Sequence, residues 1–229
     1  MVQVNPTKLF LRFKFRKGGS LQYVSHLDLV RTMHKVIVRA KLPLWYTEGF
    51  NPKPKMIFAA PLSIGTESLC EFMDIRMNER IDPAEAMARI NANMTDEMQI
   101  TEAYYPESKF TDLKWMSYCI TVCPEKFSDE LVSRVNDLFA SDSIEVVKKN
   151  SESTTNIRPL IKSATATAEG ESIVISAILS ADPSAFLNPE YVIKALREHC
   201  GILTSENLLS ESYEIMREGA YFDDMTDFR

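Results

Sequence analysis

A chain of 229 residues, 45% hydrophobic and 25% charged, has the make-up of an ordinary globular protein with room for one large core or two small ones. No apolar run approaches the roughly 18 residues that a membrane helix needs, and the opening MVQVNPTKLFLRFKF lacks the unbroken apolar centre of a signal peptide, so a cytoplasmic protein is expected. The net charge of −6 hides a division along the chain: residues 1–60 hold eleven Lys/Arg against two Asp/Glu, a balance of +9, and the other 169 residues carry −15.

Residues 8–16 alternate, with Leu9, Leu11, Phe13 and Phe15 on one side and Arg12, Lys14 and Arg16 on the other, which predicts a strand with an apolar face and a basic reverse. Gly18-Gly19 breaks it, and Leu21, Tyr23 and Val24 read as an extended return. A helix is predicted over 26–41, with Ser25 as N-cap and Asp28 reaching back in the manner of a capping box. Val30, Met33, Ile37 and Ala40 make its buried stripe, and Pro43 ends it. Arg31, Lys35 and Arg39, each four apart, form a second stripe of like charge. Such pairs repel by a few tenths of a kcal/mol, so the stripe either meets an anionic partner or is tolerated in water.

The Gly-Phe-Asn-Pro-Lys-Pro run at 49–54 is a loop held stiff by its prolines. Strands follow at 55–61 and 70–77, joined by the small polar turn 62–68, then a helix at 82–94 with Pro83 in its first turn and a strand at 99–104. The same order recurs as a strand at 115–123, a helix at 128–139, an extended stretch at 144–148, a hairpin from 157–161 through Glu169-Gly170 to 173–179, a helix at 189–199 stopped by Gly201, and a strand at 212–216. The expectation is an α+β fold of two tandem ferredoxin-like (βαββαβ) domains: a basic domain at 1–108, an acidic one at 109–218, and a frayed tail at 219–229.

Chemistry concentrates in residues 20–66. His26, at a helix start, is placed to act as general acid or base on a phosphodiester, to donate to a phosphate, or to serve as a structural histidine. His34 and His199 read as surface residues. In the loop, Phe50 is able to stack on a base or to plug the core, Asn51 to read a base edge, and Lys53 and Lys55 to meet phosphates. Gly65 in the following turn is a weak phosphate cradle. Cys70, Cys119, Cys123 and Cys200 have no metal-site spacing and read as reduced thiols. No Walker loop, dinucleotide fingerprint or nucleophile elbow occurs, so no cofactor and no metal are expected.

Residues 20–75 resemble the radical SAM-linked protein family, a domain of unknown function that stands alone or is fused behind a cobalamin-type radical SAM protein. The likeness rests on Ser-His-Leu-Asp at 25–28, Gly-Phe-Asn-Pro at 49–52 and Pro-Leu-x-x-Gly-x-Glu-Ser at 61–68, with Asn156-Ile157-Arg158-Pro159-Leu160 as a fainter echo. It implies a bacterial cytoplasmic protein, association with a radical SAM partner, and a setting that leans toward ribosome and RNA processing. The chain has no CxxxCxxC run, so radical chemistry would come from another polypeptide. The expected tandem fold is also similar to that of CRISPR-repeat-processing endoribonucleases, some of which use a histidine near the first helix. The expectation is an RNA-binding accessory module that presents transfer or ribosomal RNA to a partner radical SAM or RNA-processing enzyme, without DNA specificity or membrane contact. Phosphates would meet Arg12, Lys14, Arg16, Arg31, Lys35, Arg39, Lys53 and Lys55, while Ser25, His26, Phe50 and Asn51 would supply finer recognition. Two alternatives stand beside it: a metal-independent endoribonuclease using His26, and a protein-interaction scaffold for a radical SAM enzyme with no affinity for RNA.

Overall fold

Alternation of large apolar side chains with polar ones decides the layers of the first half. A computed structural model describes residues 9–148, 153–205, 207 and 210–229; Lys8, the first residue of the expected opening strand, lies outside them. Strand β1 (Phe10–Lys17) is followed by helix α1 (His26–Arg39), β2 (Met56–Phe58), β3 (Thr66–Arg76), α2 (Pro83–Asn91) and β4 (Met98–Tyr104). The four strands pair antiparallel in the order β4-β1-β3-β2. Leu11, Phe13 and Phe15 of β1 join Met73 and Ile75 of β3, Ile100 of β4, Met33 and Ile37 of α1, and Ala86 and Ile90 of α2 in one core. Each large side chain so buried contributes roughly 1.5–3 kcal/mol.

Helix α1 stops earlier than its pattern suggests. Ala40 still donates to Val36, but Lys41 takes a left-handed φ of 52°, which no continuing helix allows. In α2, Asp82 caps the Glu85 amide at 3.1 Å, and Pro83 occupies the first turn, where its missing N–H has no partner to lose. Strand β3 begins at Thr66, inside the expected 62–68 turn, because Ser68 pairs with Lys17 beyond a bulge in β1.

The reverse face of this sheet is not the free basic surface that alternation suggests. Arg12 has no exposed surface. Its Nε and Nη2 donate to the two carboxylate oxygens of Asp74 at 2.7 and 2.9 Å, Asp74 being its direct cross-strand neighbour on β3. Nη1 donates to the Ser108 hydroxyl at 2.8 Å, and the Phe110 ring covers the guanidinium at 4.4 Å. Burial pushes the Asp74 carboxyl up, and the Arg12 hydrogen bonds pull against that rise. Lys14 donates to Glu102, opposite it on β4, at 2.8 Å, and Arg16 donates to the Asp96 carbonyl at 2.7 Å. Lys17 is buried past the bulge.

The second half repeats the same order of elements with one insertion. It comprises β5 (Trp115–Cys123), α3 (Asp129–Ala140), β6 (Glu145–Val147), β7 (Thr154–Asn156), β8 (Ile161–Glu169), β9 (Ser172–Ser180), α4 (Glu190–Ala195) with a π-helical turn Leu196–Cys200, and β10 (Ser212–Tyr221). The main strands run antiparallel as β10-β5-β9-β8, and β6 with β7 forms a separate ribbon. Met116, Ile120, Ile175, Leu179, Val135, Phe139, Ile193 and Ile215 are among its buried residues. The chain divides into two compact units between Phe110 and Thr111, with Arg229 grouped with the first. Residues 219–229 do not fray as expected: β10 continues to Tyr221, which bridges Asp227, and Phe228 is buried with its ring 5.1 Å from that of Phe222. The overall fold is mixed α+β, mostly antiparallel sheet with four α-helices among the described residues. Among those residues, no helix is long and apolar enough to cross a membrane.

Two outer strands share one protective device. Asn91 of α2 donates to the Ile100 carbonyl on β4 at 2.9 Å and accepts from the Ile100 amide at 2.8 Å. Asn136 of α3 does the same at Ala166 on β8, 2.9 Å in each direction. Each side-chain amide stands where the next strand would bond, which blunts an edge otherwise open to pairing.

Two outcomes follow from these contacts. In a Trp115→Phe background, where Trp45 is the one tryptophan left of two, Asp74→Leu should cost about 3–5 kcal/mol in urea unfolding because it strands a buried guanidinium. Arg12→Met with Asp74→Leu should regain most of that loss; equal losses in the two variants would show that the pair's charge is irrelevant. Asn136→Ala should leave two buried backbone groups at Ala166 unpaired, at about 1–3 kcal/mol each, and speed hydrogen exchange of the Ala166 amide. Unchanged protection there would sink the edge-capping argument.

Candidate functional site

The start of α1 is fixed from both sides. Ser25 has extended backbone, and its Oγ accepts from the Asp28 amide at 3.2 Å while donating to Asp28 Oδ2 at 2.7 Å. Arg31 donates to Asp28 Oδ1 at 3.0 Å, one helical turn on. The Ser25 hydroxyl and then Arg31 hold the Asp28 carboxyl below the usual range. Ahead of the cap, the Gly18-Gly19 turn is clamped by two carboxylates: Gly19 N–H donates to Glu67 Oε1 at 2.6 Å, and Ser20 donates through N–H and Oγ to Glu97 at 3.0 and 2.7 Å. Gly19 has φ of 57°, a left-handed conformation that favours glycine, and a Cβ there would push aside the Glu97 carboxylate that clamps the turn. Gly65 donates to the Gln22 carbonyl at 3.0 Å, which brings the 62–66 turn against the same segment.

His26 is half-buried with its ring edge-on to Phe58 of β2, centroids 5.5 Å apart at 88°. Phe58 in turn stands edge-on to Phe15 in the core, so His26 caps a column of rings. Leu29, Met33, Val36 and Ile37 face inward, with Val30 only half-buried. The outer side of α1 carries Leu27 (58% exposed), Arg31, Lys35, Val38 (48% exposed) and Arg39.

The Gly-Phe-Asn-Pro segment is the end of a braced ribbon. Trp45 N–H donates to the Arg76 carbonyl and Arg76 N–H to the Lys55 carbonyl, both at 3.0 Å, continuing the β3 pairing outward. Tyr46 bridges Pro54, Thr47 N–H donates to the Lys53 carbonyl at 2.9 Å, and Lys53 N–H donates to Thr47 Oγ1 at 3.1 Å. The Arg76 guanidinium lies 3.8 Å over the Trp45 ring and weights the base of the ribbon. Gly49, at φ 119°, makes the bend, and Phe50 at the tip is fully exposed, which answers the plug alternative. Asn51, Lys53 and Lys55 are exposed and Pro54 is buried.

The ribbon and the helix are electrostatic neighbours. Burial and then the charge of Lys53 hold the half-buried His34 imidazole below its ordinary value. Among the described residues, Lys35, Arg39, Lys53 and Lys55 enter no ion pair. Of the expected footprint, the structure therefore gathers Ser25, His26, Arg31, Lys35, Arg39, Phe50, Asn51, Lys53 and Lys55 along α1 and its ribbon. It withdraws Arg12, buried on Asp74, and engages Lys14 and Arg16 with Glu102 and the Asp96 carbonyl. Residues 1–110 together hold fifteen Lys/Arg and twelve Asp/Glu, so the excess over that span is +3, far below the +9 of the first sixty residues. Among the described residues, no group of three or more His, Cys, Asp or Glu is placed to hold a metal ion.

Sequence reasoning missed Glu67 and Glu97 as clamps, and took His34 for an ordinary surface residue. The signal for Arg12 was present in β3, where Asp74 stands between Met73 and Ile75 and, once buried, calls for a cation.

Comparison with protein families matches residues 11–189 to the model described as an uncharacterized protein conserved in bacteria (DUF2344). No curated protein matches. Among solved structures, an unknown protein from Galdieria sulphuraria is 9% identical over 92% of this chain and 99% of its own, with a TM-score of 0.26. A DypB variant in complex with manganese is 10% identical over 95% of each chain, with a TM-score of 0.23. At such scores neither carries an argument about this chain.

Lys53→Gln should raise the His34 pKa in an NMR titration, since it removes the one charge that opposes imidazolium there, and should leave the stability of the fold nearly unchanged. A His34 titration that does not move would place the ribbon away from the helix flank.

Proposed function

The chain belongs to the family of uncharacterized proteins conserved in bacteria known as DUF2344, and on that premise we propose that it is an RNA-binding module whose site is the outer flank of α1 together with the 45–55 ribbon. The observation that carries this reading is Phe50, fully exposed at the tip of a hydrogen-bonded ribbon beside cations with no carboxylate partner. An aromatic in water on a stiff support loses little entropy when it is covered, and loose cations gain by meeting phosphate. In this reading Lys35, Arg39, Lys53 and Lys55 hold phosphates, with Arg31 contributing less because Asp28 shares its charge. His26 and Ser25 serve to fix the helix start.

The repeated element order and the matching strand orders β4-β1-β3-β2 and β10-β5-β9-β8 support reading each unit as a ferredoxin-like, split βαβ domain. The module would work in the bacterial cytoplasm and present transfer or ribosomal RNA to a partner enzyme, a radical SAM protein in keeping with the resemblance of the 25–28, 49–52 and 61–68 segments. A second reading, a protein scaffold without RNA, is favoured by Leu27 and Val38, which interleave apolar surface with the cations of α1.

Fluorescence anisotropy with transfer RNA at low salt separates the two. Lys35→Glu with Arg39→Glu should weaken binding at least tenfold, about 1.4 kcal/mol or more, whereas Lys14→Gln, on the paired strand, should leave it unchanged. Affinity that ignores the α1 reversal overturns the RNA reading.

A further inference from the structure

We propose that the RNA taken by this site is single-stranded, held along the α1 and ribbon cations with one unpaired base stacked on Phe50; the inference rests on the RNA-binding reading above. Lys35 and Arg39 lie one helical turn apart, about 6 Å along the axis. Lys53 and Lys55 are alternate residues of an extended segment and are separated by about the same distance. Each pair thus suits successive phosphates of one backbone. His34, half-buried on α1 one residue before Lys35, carries an imidazole that the charge of Lys53 disfavours as a cation, so both pairs contribute to one positive region.

Phe50 points to the same ligand. Its ring touches nothing in the protein that would bury it, and it stands beyond the last cross-ribbon hydrogen bonds at Thr47 and Lys53. Inside an A-form helix the bases are stacked on one another and the major groove is too narrow for side chains, so an aromatic at a loop tip finds a base face only where the base is unpaired. Asn51, next to it and exposed, is able to donate and accept on a Watson–Crick edge, which pairing would hide.

The test uses the full chain and a fluorescent ten-nucleotide RNA, alone or annealed to its complement. The single strand should bind at least tenfold more tightly than the duplex. With four cations engaged, the logarithm of its affinity should fall with the logarithm of salt with a slope of about −3. Phe50→Ala should weaken single-strand binding roughly five- to hundredfold while leaving duplex binding unchanged. Phe50→Trp should keep the affinity, and its added indole emission should be quenched by the single strand alone. Because Phe50 is fully exposed, neither change threatens folding. Equal or tighter duplex binding, or single-strand binding indifferent to Phe50→Ala, overturns this inference and leaves the RNA reading standing. Absence of binding to either form overturns both.

Discussion

A guanidinium buried in the middle of an apolar sheet has to bring its counter-charge with it, and in the first unit that requirement arranges the rest. Arg12 on β1 and Asp74 on β3 meet through two parallel hydrogen bonds, a geometry that a slip of one residue would destroy. The pair therefore fixes the β1–β3 register as firmly as the phenylalanines on the opposite face. Ser108 and Phe110 close over it. With Arg12 shut in and Lys14 tied to Glu102, β1 keeps Arg16 as its exposed cation, hydrogen-bonded to the Asp96 carbonyl.

The unpaired cations of α1 and its ribbon make the flank of that helix the candidate site. There the segments carrying the family resemblance do different work. Ser25 and Asp28 fix the first turn of the helix, Glu67 holds the glycine turn that delivers the chain to it, and the Gly-Phe-Asn-Pro run turns the end of the ribbon beside it. The ribbon is braced at Trp45, Tyr46 and Thr47 and carries Phe50 fully exposed at its end.

The two units solve their edges alike, with an asparagine from a helix bonding both backbone groups of one outer-strand residue, Ile100 in one case and Ala166 in the other. Nothing local marks Asn91 or Asn136 for this task, since asparagine near a helix end ordinarily reads as a cap or a fraying signal. The buried polar residues of the sheet are hidden in the same way. Alternation tells which side of a strand a residue faces, and it is silent on whether that side meets water.

Local rules were enough for most of the elements, although the expected extended return at 21–24 is instead a 3-10 turn, Gly19–Tyr23. The cap at Ser25, the stop at Gly201, the strands read at 115–123 and 173–179 and the doubled order of elements were legible, because each depends on neighbours within a few residues; the caps at Asp82 and Ser128 fall at the starts of the two helices read from 82 and 128. Sequence also located the segment where the candidate site falls and the aromatic at its tip. Only the tertiary structure decided which cations remain available. Charge neutralisation is set by pairings such as Arg12 with Asp74 and Lys14 with Glu102, across 62 and 88 positions of chain, and Coulomb attraction follows distance in space whatever the separation in sequence.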